Sequence, residues 1–141
     1  MRKLWMAGLA LSLLACDDDD DDPAGPDTSF AGTYAMISIA SQPLPATLFQ
    51  DATSQIQVTS GQLVLTAANE WTGSVTVVTT TNGVPLTETL DAGGSFTISG
   101  SVITFTDESD QSTFTGTLNG DQITANLEVL EGTTAPVVFE R

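Results

Sequence analysis

From Phe30 to Arg141 the chain alternates apolar and polar residues with a period of two. One stretch places Trp71, Val75 and Val77 on one face and only serine and threonine on the other. Successive side chains of a strand point to opposite faces, so this pattern predicts strands with one buried and one wet face, as in antiparallel sheets. The same alternation occurs at 95–99, 102–106, 113–118 and 123–129.

Short clusters of turn-forming residues separate these stretches. Asn82-Gly83 is the strongest of them, because both residues tolerate the positive φ that a tight hairpin requires. No stretch keeps the helical period of 3.6 residues, although Thr47 to Ala52 could form one helical turn. The other turn signals are Ser60-Gly61, Asn69-Glu70, Gly93-Gly94, Ser99-Gly100, residues 107–112, Asn119-Gly120-Asp121 and Glu131-Gly132.

The number and spacing of the stretches predict one all-β domain of about eight to ten strands joined by short hairpins. No connection is long enough for a crossover helix, which favours an up-and-down antiparallel barrel. A two-sheet β-sandwich is the alternative that the same pattern allows. The length of 141 residues suits a single domain with one core.

The first 15 residues have the pattern of a secretory signal. Arg2 and Lys3 form a basic start, and an apolar run follows from Leu4 to Ala15. A helix of that length covers about 18 Å, which is less than a hydrocarbon core of about 30 Å. Residues 1–15 are therefore predicted to be a signal peptide and not a membrane span.

The signal ends in Leu13-Leu14-Ala15-Cys16, which resembles the lipobox of bacterial lipoprotein signal peptides. The resemblance implies cleavage just before Cys16, a diacylglycerol on its sulfur and an acyl chain such as palmitate on its new amine. A lone cysteine in an exported protein has no disulfide partner, and lipidation accounts for it. Two or more chains anchor a protein stably, because each buried CH₂ contributes about 0.8 kcal/mol.

Residues 16–29 are predicted to be an acidic tether. The carboxylates of Asp17 to Asp22 repel one another and cannot be buried together. Aspartate after the cysteine resembles the inner-membrane retention signal of enteric bacteria, whereas acidic residues there resemble surface-export signals of other Gram-negative groups. We expect a lipid-anchored protein of the cell envelope, at the outer membrane (on its periplasmic or surface face) rather than the inner membrane.

The charged residues exclude several classes of function. The chain has 18 Asp and Glu, three Lys and Arg and no His, and no Lys or Arg lies between residues 16 and 140. Binding of nucleic acid is excluded because it needs Lys and Arg to neutralise phosphates. The missing histidine and lysine disfavour catalysis and zinc, copper and haem sites. We therefore expect no enzyme, no cofactor and no metal site, and interpret the acids at 107–110 as a solvated turn.

Three segments of the domain resemble the small lipocalin-like lipoproteins of Gram-negative bacteria. They are Gly32-Thr33-Tyr34 in the first strand, Leu44-Pro45 after it, and Val138-Phe139-Glu140-Arg141 at the end. Lipocalins open with Gly-x-Trp and cover that ring with an arginine from the last strand. The resemblance implies a barrel over residues 30–141, with Tyr34 as the ring, Arg141 as its cover and a small apolar ligand as the partner.

Inward-facing aromatic and methionine residues are the candidate ligand contacts of such a barrel. These are Tyr34, Met36, Trp71, Phe96, Phe105 and Phe114. Alternatively, an eight-stranded barrel fills its interior with its own side chains, and the domain is a structural or protein-interaction module of the envelope. A void of a few hundred Å³ favours ligand binding, whereas a filled core with an exposed apolar patch or open strand edge favours the module. The identity of any protein partner stays open.

Glu88 departs from the alternation, because it shares a face with Leu86 and Leu90. An inward-facing glutamate needs a partner, since an unpaired buried charge is very costly. Arg141 is the only basic side chain after residue 15, so an ion pair between Glu88 and Arg141 competes with the cover of Tyr34. The alternative is a bulge or an exposed strand end that turns Glu88 outward.

Overall fold

The computed structural model describes residues 28–141, which form ten antiparallel strands. The strands are β1 Gly32–Ile39, β2 Gln42–Pro43, β3 Ala46–Gln50, β4 Ser54–Leu65, β5 Glu70–Thr81, β6 Val84–Ser99, β7 Val102–Asp107, β8 Thr113–Asn119, β9 Gln122–Leu130 and β10 Thr133–Glu140. The predicted signal peptide, Cys16 and the tether as far as residue 27 lie outside the described residues. Within residues 28–141 no helix is long and apolar enough to cross a membrane.

Eight of these strands close into an up-and-down barrel, which confirms the predicted architecture over the sandwich. Neighbours in sequence pair from β4 to β10, β10 pairs with β1, and β1 pairs with β4 to complete the ring. Tyr34 lies opposite Leu63 and Met36 opposite Phe139 at this closure. The short strands β2 and β3 lie outside the ring, where β2 pairs with β1 and β3 with β4.

The buried faces are those that the alternation assigned to the interior. Trp71, Ile103, Phe105 and Ile123 are at most 4% exposed. Burial of a large apolar side chain contributes about 1.5–3 kcal/mol, so the interior is the main source of stability. The threonines that alternate with these residues in β7, β8 and β9 lie on the outer face of the barrel.

Two local predictions near the start of the barrel are wrong. Residues 46–50 form β3 and not a helical turn, because their backbone groups pair with β4. Ser60 and Gly61 form no turn but lie inside β4, just after a shift of register between Val58 and Ser60. A side chain at position 61 would overlap Met36, so the glycine there serves core packing.

The predicted turn at Gly93-Gly94 is also wrong, since both residues lie inside β6. A Cβ atom on Gly94 would overlap the carbonyl oxygen of Thr106 in β7. Glycine therefore allows an unusually close approach of β6 to β7 at this point. Pairing with β7 begins at Gly94 and runs to Ser99, so the glycines mark the position where β6 parts from the barrel wall.

The remaining part of β6 and its partner β5 extend from the barrel as an arm, which we define as residues 73–92. Residues 84–92 pair with β5 on one side and have no strand partner on the other. Every residue from Thr81 to Ala92 is exposed. The arm is thus the free-edged side of a sheet, because β5 also pairs with β4 as far as Thr81 whereas β6 has no second neighbour here.

A second gap in the wall separates β8 from β9. These strands pair only from Gly116↔Ala125 to Asn119↔Gln122, so the start of β8 and the end of β9 diverge. This gap and the arm lie at the same end of the barrel, together with the turns β5–β6, β7–β8 and β9–β10. We call this the open end and the opposite one, which holds the start of β1, the closed end.

Candidate functional site

A cavity of about 420 Å³ lies inside the barrel toward its open end. Its lining is mostly apolar and comes from all eight strands of the ring and from β3 beside it. The aliphatic part includes Leu48, Val58, Leu63, Val75, Val77, Leu127 and Val129. Leu90 and Ala92 of the arm border it as well, so the cavity is continuous with the inner face of the arm.

Three aromatic rings form one wall of this cavity. Phe105 and Phe114 are stacked with centroids 4.7 Å apart, and Trp71 meets them edge to face at 5.7 and 5.5 Å. The indole Nε1 of Trp71 donates a hydrogen bond of 3.2 Å to the carbonyl oxygen of Thr106. Each such ring pair contributes about 0.5–1.5 kcal/mol beyond burial, so the three rings hold one another in place.

The structure places four of the six predicted ligand contacts on the cavity wall. Met36, Trp71, Phe105 and Phe114 are among the lining residues. Tyr34 and Phe96 are buried nearer the closed end and do not reach the cavity. The interior is therefore divided into a packed half and a hollow half.

Sequence reasoning missed the aliphatic lining. The alternation does place Val75, Val77, Leu127 and Val129 on inner faces, and this was the signal that could have found them. Leu48 had no such signal, because the interpretation of its segment as a helical turn concealed its strand. The inner faces alone also could not show where side chains stop filling the barrel.

The closed end is sealed by a cluster around Tyr34, which is fully buried. Its phenol donates a hydrogen bond of 2.6 Å to the carbonyl oxygen of Phe30, whose ring meets Phe96 edge to face at 5.5 Å. The guanidinium carbon of Arg141 lies 5.2 Å from the centre of the Tyr34 ring. Burial raises the pKa of Tyr34, and the positive charge of Arg141 lowers that pKa in part.

The structure corrects the predicted ion pair between Glu88 and Arg141. At the closed end Arg141 Nε lies 2.8 Å from Oδ1 of Asp121, and this hydrogen bond raises the pKa of Arg141. Glu88 lies on the arm, beyond the open end, and it is exposed. It does share the inner face with Leu86 and Leu90, but there the face is in water, so no buried partner is required.

Apolar side chains continue the cavity lining along the arm. Val84, Leu86 and Leu90 are 69%, 59% and 59% exposed. They lie on the same face as Val75 and Val77, since Leu90 pairs with Val75 and Glu88 with Val77 in the sheet. The arm therefore presents an apolar row that begins at the cavity and is interrupted by the carboxylate of Glu88.

Carboxylates surround the open end. Asp91, Asp107 and Glu128 border the cavity itself. Backbone N–H groups of Thr53 and Ser54 lower the pKa of Asp51, and the hydroxyl of Ser112 lowers that of Asp110, so both side chains stay ionised at neutral pH. Within residues 28–141, no three or more His, Cys, Asp and Glu side chains are grouped so that they could hold a metal ion.

A shallower depression of about 550 Å³ lies outside the barrel, beside the point where β6 leaves β7. Polar residues of the outer face form it, with Thr72 and Ser74 on β5 and Glu108 and Ser109 in the β7–β8 turn. About half of its surface is polar, whereas the surface of the interior cavity is mostly apolar. The interior cavity is therefore the better candidate for a binding site.

No protein-family model, no curated protein and no solved structure matches the chain. The candidate site consequently depends on the geometry of the barrel alone. That geometry is a hollow, apolar, aromatic-walled interior that opens at one end between an arm and a split in the wall. Such a site can bind a molecule by excluding water, and it offers polar groups only at its entrance.

Proposed function

We propose that the protein is a lipid-anchored protein of the cell envelope whose non-catalytic, lipocalin-like barrel binds a small apolar ligand. The observation that most directly supports ligand binding is the apolar cavity of about 420 Å³. Ligand sites in proteins range over about 300–1,000 Å³ and are lined mainly by hydrophobic and aromatic residues. The eight-stranded up-and-down ring and the stacking of Arg141 on Tyr34 support the lipocalin-like part.

A second candidate is a protein-interaction module, which the free edge of β6 favours. An unpaired edge can add a strand from a partner protein. Pro85 removes one backbone donor from this edge, and Glu88 and Asp91 add negative charge to the exposed hairpin. Natural proteins use these features to prevent edge pairing, so ligand binding remains the better supported function.

Fluorescence of Trp71 tests the proposed binding directly. The chain has two tryptophans, Trp5 and Trp71, so a full-length Trp5→Phe background leaves the cavity-wall indole as the only reporter. Titration with the neutral probe N-phenyl-1-naphthylamine is expected to give a saturable loss of Trp71 emission. Val77→Phe and Leu127→Phe fill the cavity and are expected to weaken binding about tenfold or more, equivalent to at least about 1.4 kcal/mol.

Val102→Phe is the matched control for this experiment, because Val102 lies on the outer face near the closed end and is 45% exposed. It adds the same ring without entering the cavity, so binding is expected to stay unchanged. Circular dichroism checks that each variant remains folded. Absence of saturable quenching in the background protein, or equal loss of binding in Val77→Phe and Val102→Phe, would contradict the proposal.

A further inference from the structure

The charges of the barrel are divided unequally between its two ends. The closed end has three acidic side chains, Glu70, Asp121 and Glu140, together with Arg141. The open end has eight and no basic residue: Asp51, Glu88, Asp91, Asp107, Glu108, Asp110, Glu128 and Glu131. A ligand that enters the cavity therefore passes a strongly negative entrance, which attracts cations and repels anions.

Two of these carboxylates, on the arm, are both unpartnered and close to the cavity; Glu108 and Glu131, in the turns β7–β8 and β9–β10, also have no side-chain partner among the described residues. Asp107 and Glu128 accept hydrogen bonds within their own turns, from Ser109 and from the backbone of Gly132. Glu88 and Asp91 have no hydrogen-bond or ionic partner for their side chains among the residues that the structure describes. Both are exposed: Glu88 lies on the inner face of the arm with Leu90, whereas Asp91 pairs with Ser74 on the outer face, at the edge of the cavity.

The apolar surface of the site is longer than the cavity. From Leu90 to Val84 the apolar row follows six residues of strand, which is about 20 Å at roughly 3.3 Å per residue. An elongated chain could fill the cavity and emerge over Leu90, which is otherwise in water, at the position where Glu88 interrupts the row. A compact ligand would leave Leu90 uncovered.

We propose that the ligand is an elongated cationic amphiphile, with its alkyl part in the cavity and over Leu90 and its positive head beside Glu88, near the edge of the cavity where Asp91 lies. The inference rests on the proposed function and adds the chemical class of the ligand. It excludes fatty acids and other anionic lipids as preferred ligands, because their head groups would meet eight carboxylates and no basic side chain. A second copy of the barrel is disfavoured at this face for the same reason.

Three detergents with the same alkyl chain and different heads test the charge preference. Decyltrimethylammonium, decyl maltoside and decyl sulfate, each below its micelle concentration, are titrated into the full-length Trp5→Phe protein at low salt. The trimethylammonium compound is expected to bind about tenfold more tightly than the sulfate, with the maltoside between them. Added NaCl is expected to weaken only the binding of the cation, because salt screens the attraction.

Variants locate the effect at the arm. Glu88→Gln combined with Asp91→Asn is expected to reduce the preference for the cation over the maltoside several-fold, with little change in maltoside binding. The matched control is Glu70→Gln combined with Glu140→Gln, which removes two charges at the closed end and is expected to leave the preference unchanged. Val77→Phe is expected to weaken all three detergents, which separates binding in the cavity from adsorption to the acidic surface.

The outcomes separate this inference from the proposed function. Equal affinity for the three heads, or tighter binding of the sulfate, overturns the cationic preference and leaves an apolar site. Binding of the cation that Val77→Phe does not affect also overturns it, since the detergent then adsorbs outside the cavity. Failure of all three detergents and of the naphthylamine probe overturns the proposed function itself.

Discussion

Tyr34 shows how one buried residue organises the closed end. The phenol ring is enclosed by the barrel, its hydroxyl reaches the carbonyl oxygen of Phe30, and Arg141 lies over its face. Arg141 also donates to the carbonyl oxygen of Ala31 at 3.1 Å and to the carboxylate of Asp121. The last residue of the chain thus ties the start of β1 to the β8–β9 turn and seals the end that holds no cavity.

Titration of Tyr34 is expected to occur above its ordinary pKa of 10.0, because burial disfavours the phenolate. The raised pKa means that the folded state retains the proton longer than the unfolded state. The contribution to stability is therefore fully present below pH 10 and is lost as the pH rises through the folded pKa. Since the chain has one tyrosine, phenolate absorbance against pH measures this group alone.

Concentrated urea provides the reference for that titration, since the exposed phenol then ionises near its ordinary value. The variant Arg141→Gln is expected to raise the folded pKa of Tyr34 further, because the arginine lowers it. Coincident titration curves in the presence and absence of urea would show that the ring is not buried.

At the level of strands, β6 both forms part of the barrel wall and leaves the wall to open the cavity. Its last six residues, Gly94–Ser99, pair with β7 and form part of the wall. Its first nine, Val84–Ala92, leave the wall and carry the apolar row of the arm. A regular strand of this length would have continued the wall, so the transition at Gly93 and Gly94 creates the opening.

Substitution of Gly94 by alanine is expected to destabilise the protein by about 1–3 kcal/mol, because the new Cβ atom would overlap the carbonyl oxygen of Thr106. Gly73→Ala is the matched control in the neighbouring strand. There the nearest atom to the new Cβ would be a ring carbon of Trp71 at 3.4 Å, which is an ordinary contact. Urea unfolding followed by circular dichroism measures both. Equal stability of the two variants would mean that the close approach of β6 to β7 is unimportant.

The alternation of residues was sufficient to predict the strands and the type of barrel. The prediction of turns from glycine was wrong at Gly61 and Gly94, because these residues allow close packing inside strands. Local sequence does not distinguish such a glycine from one in a turn. The same limit applied to Glu88. The sequence predicted correctly which face of β6 holds Glu88. It could not predict that β6 extends beyond the barrel wall and leaves that face in water, because this depends on where pairing with β7 begins.

The candidate site was predictable only in part, for a related reason. Inner-facing residues such as Trp71 and Phe114 follow from the period of two, and both line the cavity. The division into a packed and a hollow half depends on how Phe30 and Tyr34 fill the closed end and on the divergence of β8 from β9. These are contacts between residues distant in sequence, on which a pattern of neighbouring residues carries no information.

The two ends of the barrel differ in where the chain enters and in their charge. The chain enters at the closed end, where the N–H of Ala31 donates to the carbonyl oxygen of Thr28 and Phe30 packs beneath the barrel. Any segment before Thr28 therefore joins the barrel opposite the mouth of the cavity. The closed end also has the smaller excess of negative charge. Because anionic lipids repel negative surfaces, the proposed anchor and the charge distribution both favour an open end that points away from the membrane.

Replacement of Cys16 by serine tests the anchor on which this orientation depends. Cys16 is the only cysteine, so its loss removes the proposed site of acylation. We expect the unaltered protein to remain with membranes and enter the detergent phase, and Cys16→Ser to be soluble or to keep its signal, because no acyl chain then holds it. Cell fractionation and labelling with radioactive palmitate measure this, and Ser12→Ala, which alters the signal but keeps the cysteine, is the control.

Cys16→Ser is also expected to bind the naphthylamine probe with unchanged affinity, since Cys16 lies at least 12 residues before the barrel and the chain joins it at the closed end. Unchanged membrane partitioning of Cys16→Ser would exclude the lipid anchor while leaving the binding function intact.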